Sequence, residues 1–340
     1  MYQFSKITII SIIIILSVSI GFTQNPVGTT AAEFLGIAVG PRAYGMGGAY
    51  TAMTSDITAA YWNPGALAFL NQNYFTISRS NWLLGSTFNW AGVALKLGNN
   101  NIFCVNMTYL DYGEEEVTTI YEQEGTNQYW TASNMAVNLT YSRALTQKFA
   151  FGGTVKLIHE QIWHESATGF AVDLGILYIT SFDGMRLGMS ISNYGTKMHL
   201  DGDDLYHKID IDPDNLGNNE TLVAKLETGE YALPIFFRVG IAYDYDMALK
   251  NRLTFALDAV HPSNNTEYVN VGLEYSWNDM VFIRGGYKSL FQDYSRETFT
   301  VGGGFKYHID GIGKLILDYS YTQFKDLDED IPTFAFSFSF

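Results

Sequence analysis

The chain is short of what most functional classes require. Of 340 residues only 20 are Lys or Arg, against 35 Asp or Glu, for a formal net charge of −15. A nucleic-acid binder shows the opposite balance, because phosphates are neutralised by cations. Charged residues are 16% in all, below the usual quarter. The single cysteine, Cys104, excludes an intramolecular disulfide and reads as a packed residue before a nucleophile. The histidines, His159, His164, His199, His207, His261 and His308, are scattered. No His-Glu-x-x-His pattern, Cys-x-x-Cys pair or Gly-x-Ser-x-Gly elbow is present. Gly302-Gly303-Gly304 lies within an alternating segment, so it is no phosphate loop. The stretch from Asp210 begins like a calcium loop with Asp212 and Asp214. It then has Asn215 where the glycine belongs and Thr221 where the closing carboxylate belongs. That stretch, Asp201 to Asp204 and Glu114 to Glu116 read as solvated acidic loops. The chain is therefore read as non-enzymatic, with no catalytic residue, cofactor or metal.

Long apolar runs are also missing after the N-terminus. Residues 1–24 have Lys6, an apolar run from Ile7 to Leu16 broken by Thr8 and Ser11, and then small and polar residues. This is an export-signal pattern, favoured over a membrane anchor because a spanning helix needs ~20 apolar residues.

What is abundant is aromatic and small. Phe 23, Tyr 23 and Trp 6 make 15% of the chain, with 32 Gly. From Asn73 onward the pattern has period two. Met135, Val137, Leu139 and Tyr141 alternate with Ala136, Asn138, Thr140 and Ser142. Successive strand side chains point to opposite faces, so such segments have one apolar and one small or polar face. About 14 strands are predicted. Their spans are 72–79, 86–97, 101–111, 131–144, 148–160, 167–180, 183–194, 234–246, 250–261, 265–277, 279–289, 297–309, 312–323 and 331–340. Short connections alternate with mostly longer ones at 112–130, 161–166, 195–233, 290–296 and 324–330. A segment of ~12 residues tilted by ~40° covers about 30 Å. The fold expected is an all-β, 14-stranded antiparallel transmembrane β-barrel with a small N-terminal plug. Residues 1–24 are the signal, 25–71 the plug and 72–340 the barrel. Its place would be the outer membrane of a Gram-negative bacterium, among outer-membrane lipid. Phe334, Phe336, Phe338 and Phe340 share one face and end the chain. They resemble the signal read by the barrel assembly machinery.

With apolar residues facing lipid, the opposite parity turns Lys156, Asp173, Arg238, Asp258, Glu274, Arg284, Lys306 and Asp318 into the lumen. They read first as a structural charge network, and second as a polar path for a solute. Inward Gly302, Gly304, Gly286, Ala242 and Ser320 leave space that suits either a channel or a plugged barrel.

Residues 45–67 do not alternate. Ser55-Asp56 is a good N-cap pair for a short helix from Ile57 to Trp62, stopped by Asn63-Pro64-Gly65. Ala66 to Leu70 can add another turn. Gly45, Gly47 and Gly48 permit close backbone approach or positive φ. The segment is placed at the short-turn end, just before strand one, where it can tuck into the barrel. The order Gly40-Pro-Arg-Ala-Tyr-Gly-Met-Gly-Gly-Ala-Tyr-Thr-Ala52, Asp56, then Tyr61-Trp62-Asn63-Pro64-Gly65-Ala-Leu67, resembles the start of the PorV/PorQ family of outer-membrane proteins. Tyr109 to Glu114, Asp173 to Tyr178, Asp258 to Pro262 with Asn265, Gly272 to Tyr275 and Arg284 to Tyr287 extend the resemblance. The family sits with the FadL-like barrels, whose plug carries Asn-Pro-Ala; here Gly65 replaces the alanine. The resemblance implies a role in type IX protein secretion, binding a translocon and exported cargo proteins. Its alternative implication is FadL-like passage of small hydrophobic molecules.

Overall fold

The computed structural model describes residues 27–212, 214–215, 221–247, 250–292, 295–325 and 329–340. The expected signal, the first two residues of the expected plug and part of the calcium-like stretch lie outside them.

The first seven long strands are β1 (Tyr74–Asn81), β2 (Thr87–Leu97), β3 (Asn101–Glu116), β4 (Tyr129–Ala144), β5 (Phe149–Ile162), β6 (Glu165–Ile179) and β7 (Met185–Gly195). The other seven are β8 (Phe236–Met247), β9 (Asn251–Pro262), β10 (Tyr268–Trp277), β11 (Val281–Leu290), β12 (Glu297–Ile309), β13 (Gly313–Phe324) and β14 (Asp330–Ser339). Each pairs antiparallel with its sequence neighbour, and β7 pairs β8 across the longest connection. β1 pairs β14 from Tyr74↔Ser339 to Ser80↔Thr333, which closes the sheet into a 14-strand barrel.

Every expected strand is present. One end differs substantially: β3 continues past Asp111 to Glu116. Asp and Gly normally end strands. Here Gly113 adopts φ 85° and donates its N–H to Asp111 Oδ1 at 3.0 Å. The resulting bulge lets pairing resume at Glu114↔Thr131. A second difference is the β5–β6 connection, expected to be long. It is a tight turn at Trp163 and His164, with Trp163 at φ 52°.

The barrel is inside-out relative to a water-soluble sandwich. Leu139, Val155, Phe170, Leu174, Phe255 and Ile283 are exposed on the outer face. The inner face pairs hydroxyls and amides across the ladder: Thr76 Oγ1 donates to Ser337 Oγ at 2.7 Å and Asn138 Nδ2 to Asn106 Oδ1 at 2.7 Å. On β6 the outward apolar run extends from Phe170 to Tyr178. At ~3.3 Å per residue and ~40° of tilt it is roughly 20 Å tall, close to the ~25 Å apolar band of membrane barrels. Among the described residues no helix is long and apolar enough to cross a membrane.

Residues 27–73 run through the lumen from one end to the other. The segment, expected to tuck into the barrel from the short-turn end, also reaches the loop end. Ala31 N–H bonds Ala232 O at 2.9 Å, in the longest loop. Asn73 pairs with Phe340 at the opposite, short-turn end. In between lie short helical pieces at Glu33–Gly36, Pro41–Gly45, Ala59–Trp62 and Pro64–Phe69. The expected helix from Ile57 is thus a single turn starting at Ala59. Ser55 does not cap it; it sits at φ 89°. Asp56 accepts the Thr58 N–H at 2.8 Å instead.

Candidate functional site

The site is the contact between this segment and the inner wall. It has two parts, a glycine seat and a charged latch.

The seat explains the small inward residues. The segment's backbone lies against glycines from several strands. A Cβ at Gly188 of β7 would overlap the Thr51 carbonyl oxygen. One at Gly272 of β10 would overlap Met46 O, and one at Gly286 of β11 would overlap Gly47 N. Gly175 of β6 and Gly152 of β5 lie against Asn63 and Pro64 in the same way. Gly302 meets Gly45, backbone on backbone. Space that the sequence left open between channel and plug is therefore filled by residues 45–65. Gly47 and Gly48 take φ 65° and 76°, which turns the chain tightly where it passes β10 and β11.

Asn63 pins the segment's second half. Its Oδ1 accepts the Gly65 N–H at 3.0 Å, capping the Pro64–Phe69 turn. Its Nδ2 donates to Thr51 O at 2.8 Å and to Ile176 O of β6 at 2.9 Å. Pro64 follows because it has no N–H to satisfy and its ring suits the first position of a helical turn. Trp62 Nε1 donates to Val39 O at 3.0 Å, tying the segment to itself.

The latch centres on Glu274, fully buried on β10. Arg42 of the segment grips it with a two-pronged pair, Nε to Oε2 at 2.9 Å and Nη2 to Oε1 at 2.8 Å. Arg284 of β11 donates Nε to Glu274 Oε2 at 2.6 Å and Nη1 to Asp318 Oδ1 of β13 at 2.5 Å. Asp318 is two strands from Arg284. The reach is possible because Gly304 of β12 has no side chain between them. On the segment's side, Asp56 Oδ2 lies 3.3 Å from Arg42 Nη1 and also accepts the Tyr50 hydroxyl. Both guanidiniums thus share one carboxylate, and each has a second acid of its own. This satisfies charges that would otherwise be costly to bury.

The eight inward charges do not form the one network expected. Glu274, Arg284 and Asp318 belong to the latch. Asp258 Oδ2 instead accepts the backbone N–H groups of Tyr50 and Thr51, both at 2.8 Å, making it a second wall-to-segment tie. Lys156 and Asp173 pair separately at 2.8 Å, with Asn193 between them: Lys156 Nζ donates to Asn193 Oδ1 and Asn193 N to Asp173 Oδ1. Arg238 donates to Ser192 Oγ at 2.9 Å and lies over the rings of Tyr61, Trp62 and Phe236. Lys306 bonds Asp279 Oδ1 at 2.7 Å in the β10–β11 turn. Sequence reasoning missed Arg42, although it stands inside the quoted motif, and Asn193, whose φ of 64° in a β7 bulge gives no sequence signal.

At the loop end a hollow of about 240 Å³ opens between Trp82, Phe236, Tyr268, Lys288 and Glu297, with Glu33 and Gly36 of the segment also in its lining. No group of three or more potential metal ligands occurs among the described residues. Phe334 and Phe340 are exposed on the outer face of β14 and just beyond it, and Phe336 and Phe338 share that face half-buried.

The fold and its filled lumen define a class: closed, antiparallel 14-stranded barrels. Three of the solved structures that are similar over nearly the whole chain illustrate this. The CymD monoaromatic hydrocarbon channel superposes with a TM-score of 0.57 at 13% identity, covering 89% of this chain and 98% of its own. The Pseudomonas putida toluene transporter TodX gives 0.56 at 13%, covering 87% and 96%. A Pseudomonas aeruginosa FadL homologue gives 0.56 at 10%, covering 89% and 98%. At these identities the likeness is one of fold. No protein-family model matches the sequence, and no curated protein is similar to it in sequence. The PorV/PorQ resemblance therefore rests on the motifs alone.

Proposed function

We propose that the chain is a non-enzymatic outer-membrane channel for small hydrophobic molecules, held closed by its N-terminal segment. The observation that carries this reading is how segment and wall meet. They touch through backbone on glycine, through a charged latch and through an apolar cluster that joins Ile57 and Leu67 of the segment with wall residues such as Trp90 and Ile102, and none of the barrel's strand pairs includes the segment. Such a segment can shift without dismantling the barrel ladder. The similar structures described as hydrocarbon channels and toluene transporters support the same direction. In this reading the outer apolar band contacts lipid, the loop end faces outward, residues 1–24 export the chain, and the Phe340 strand engages the assembly machinery.

The expected secretion role is the second reading. Its support is the motif order and the long connection from 196 to 235, which exposes Tyr206, Val223 and Leu226 around a hairpin of Tyr206–Ile209 and Leu222–Lys225. A secretion partner needs that surface and no opening of the lumen.

One experiment separates them. The full chain is expressed in a bacterium lacking its own outer-membrane hydrocarbon channels, and uptake of labelled toluene is measured. Uptake above the empty-vector control, abolished by a disulfide tethering residues 45–65 to the wall, is the expected result. Uptake equal to the control, together with co-purification of translocon or exported cargo, would overturn the channel reading in favour of the second.

A further inference from the structure

The outer face carries a further site, at a part of the wall whose inner residues Ser78, Trp90 and Asp318 also border it. A depression of about 630 Å³ lies across β13, β14, β1, β2 and β3. That volume falls in the ~300–1,000 Å³ range of pockets that hold one small molecule. Its walls are Ile77, Met107, Leu317, Phe334 and Phe336, and small Ala91 leaves room between them. At one end stands Arg79, exposed and outward-facing, paired across the ladder with Asn89 on one side and Phe334 on the other.

Arg79 stands at the edge of the apolar belt. Beyond it the next outward positions are Asn81 on β1, Thr87 on β2 and Pro332 on β14. A guanidinium facing hydrocarbon is costly and is normally paired. The chain has 35 acidic residues, and Arg42, Arg186 and Arg284 each sit on a carboxylate. Among the described residues Arg79 has no hydrogen-bond or ion-pair partner. A bare guanidinium at the end of an apolar groove is complementary to an amphiphile with an anionic head. Its planar fork matches a phosphate with two parallel bonds.

We infer that this groove holds one lipid of the surrounding membrane, with its headgroup phosphate on Arg79 and Asn89 and an acyl chain along Ile77, Met107 and Phe336. This rests on the barrel's lying in a membrane, as proposed above.

The test is native mass spectrometry of the detergent-solubilised full chain titrated with phosphatidylglycerol, and with diacylglycerol of the same chains. Wild type should retain one phosphatidylglycerol and bind it at least ~10-fold more tightly than diacylglycerol, as expected for charge-assisted bonds. Arg79→Gln should lose that preference, Arg79→Lys should keep part of it, and Ala91→Trp should weaken both ligands by filling the groove. Equal binding of the two ligands by wild type, or undiminished preference in Arg79→Gln, overturns the inference. Insertion into lipid vesicles is measured alongside, using heat-dependent gel mobility to show a folded barrel. Failure of wild type to insert defeats the membrane reading itself, whereas insertion without an Arg79-dependent preference defeats only the lipid site.

Discussion

Replacing Glu274 with Ala should loosen the N-terminal segment while leaving the barrel closed. Among the described residues Glu274 is the only acid that both Arg42 and Arg284 touch. Removing it strips Arg42 of its two shortest charged bonds and leaves two buried guanidiniums facing each other. Breaking a buried pair by deleting one partner costs about 3–5 kcal/mol. The cost falls on the closed state, because an Arg42 released from the wall can be hydrated. At ~1.4 kcal/mol per factor of ten, segment opening should rise by roughly two to three and a half decades. Hydrogen exchange reads this directly. The amides of Gly47 and Gly48 bond Tyr44 O and Ala43 O, and those of Tyr50 and Thr51 bond Asp258. All four should exchange faster by that factor, while ladder amides of β4 and β5 stay protected. The double variant Arg42→Met/Glu274→Leu should recover much of the loss, since it removes the unpaired charge along with its partner. Exchange of the four amides within about twofold of wild type in Glu274→Ala would refute the latch.

Three further outcomes follow from the same geometry. Gly188→Leu should drive residues 45–65 off the wall, because the new side chain occupies the place of the Thr51 carbonyl; Gly285→Ala, with open space around it, should change nothing. Limited proteolysis of folded protein distinguishes the two: equal resistance would contradict the seat. Asn63→Ala should destabilise the closed segment by about 1–3 kcal/mol through two unsatisfied carbonyls and a lost cap. Asn63→Asp should do worse, since it points a buried charge at those carbonyls; the readout is exchange at Gly65 and Ala66. The loop hairpin should respond to pH through Asp201 and Lys225. The Lys225 hydrogen bond lowers the Asp201 carboxyl below its ordinary value, and the Asp201 bond raises Lys225. A depressed acid stabilises above its unfolded value of ~3.9 and loses that as pH falls; a raised lysine stabilises below ~10.4 and loses that as pH rises. Order in the hairpin, followed by NMR, should therefore be flat between these limits and fall outside them, and Asp201→Asn should abolish the acid-side fall.

The barrel was legible because its signal is local. Alternation sets the face of every side chain one residue at a time, so Leu139 and Thr140 declare their sides without knowledge of any partner. Strand number and the long return at 196–235 follow from the same reading. The end of β3 was missed because Asp111 and Gly113 look like a stop, and only pairing with β4 shows them to be a bulge. The parity that turned Glu274, Arg284 and Asp318 inward was also local, but their grouping was not. Two of them are joined because Gly304, on the strand between, has no side chain.

The sequence by itself determined an all-β barrel with apolar residues outside, polar ones inside and a non-alternating glycine-rich segment ahead of the first strand. Only the tertiary structure decided what fills the lumen. It placed Arg42 on Glu274, 232 positions away in the chain, and laid Thr51 and Pro64 on glycines of strands far along it. Facing is a property of one residue and its neighbours. Contact across a closed barrel depends on shear, strand order and the path of a segment that touches many strands at once, and none of these leaves a local mark.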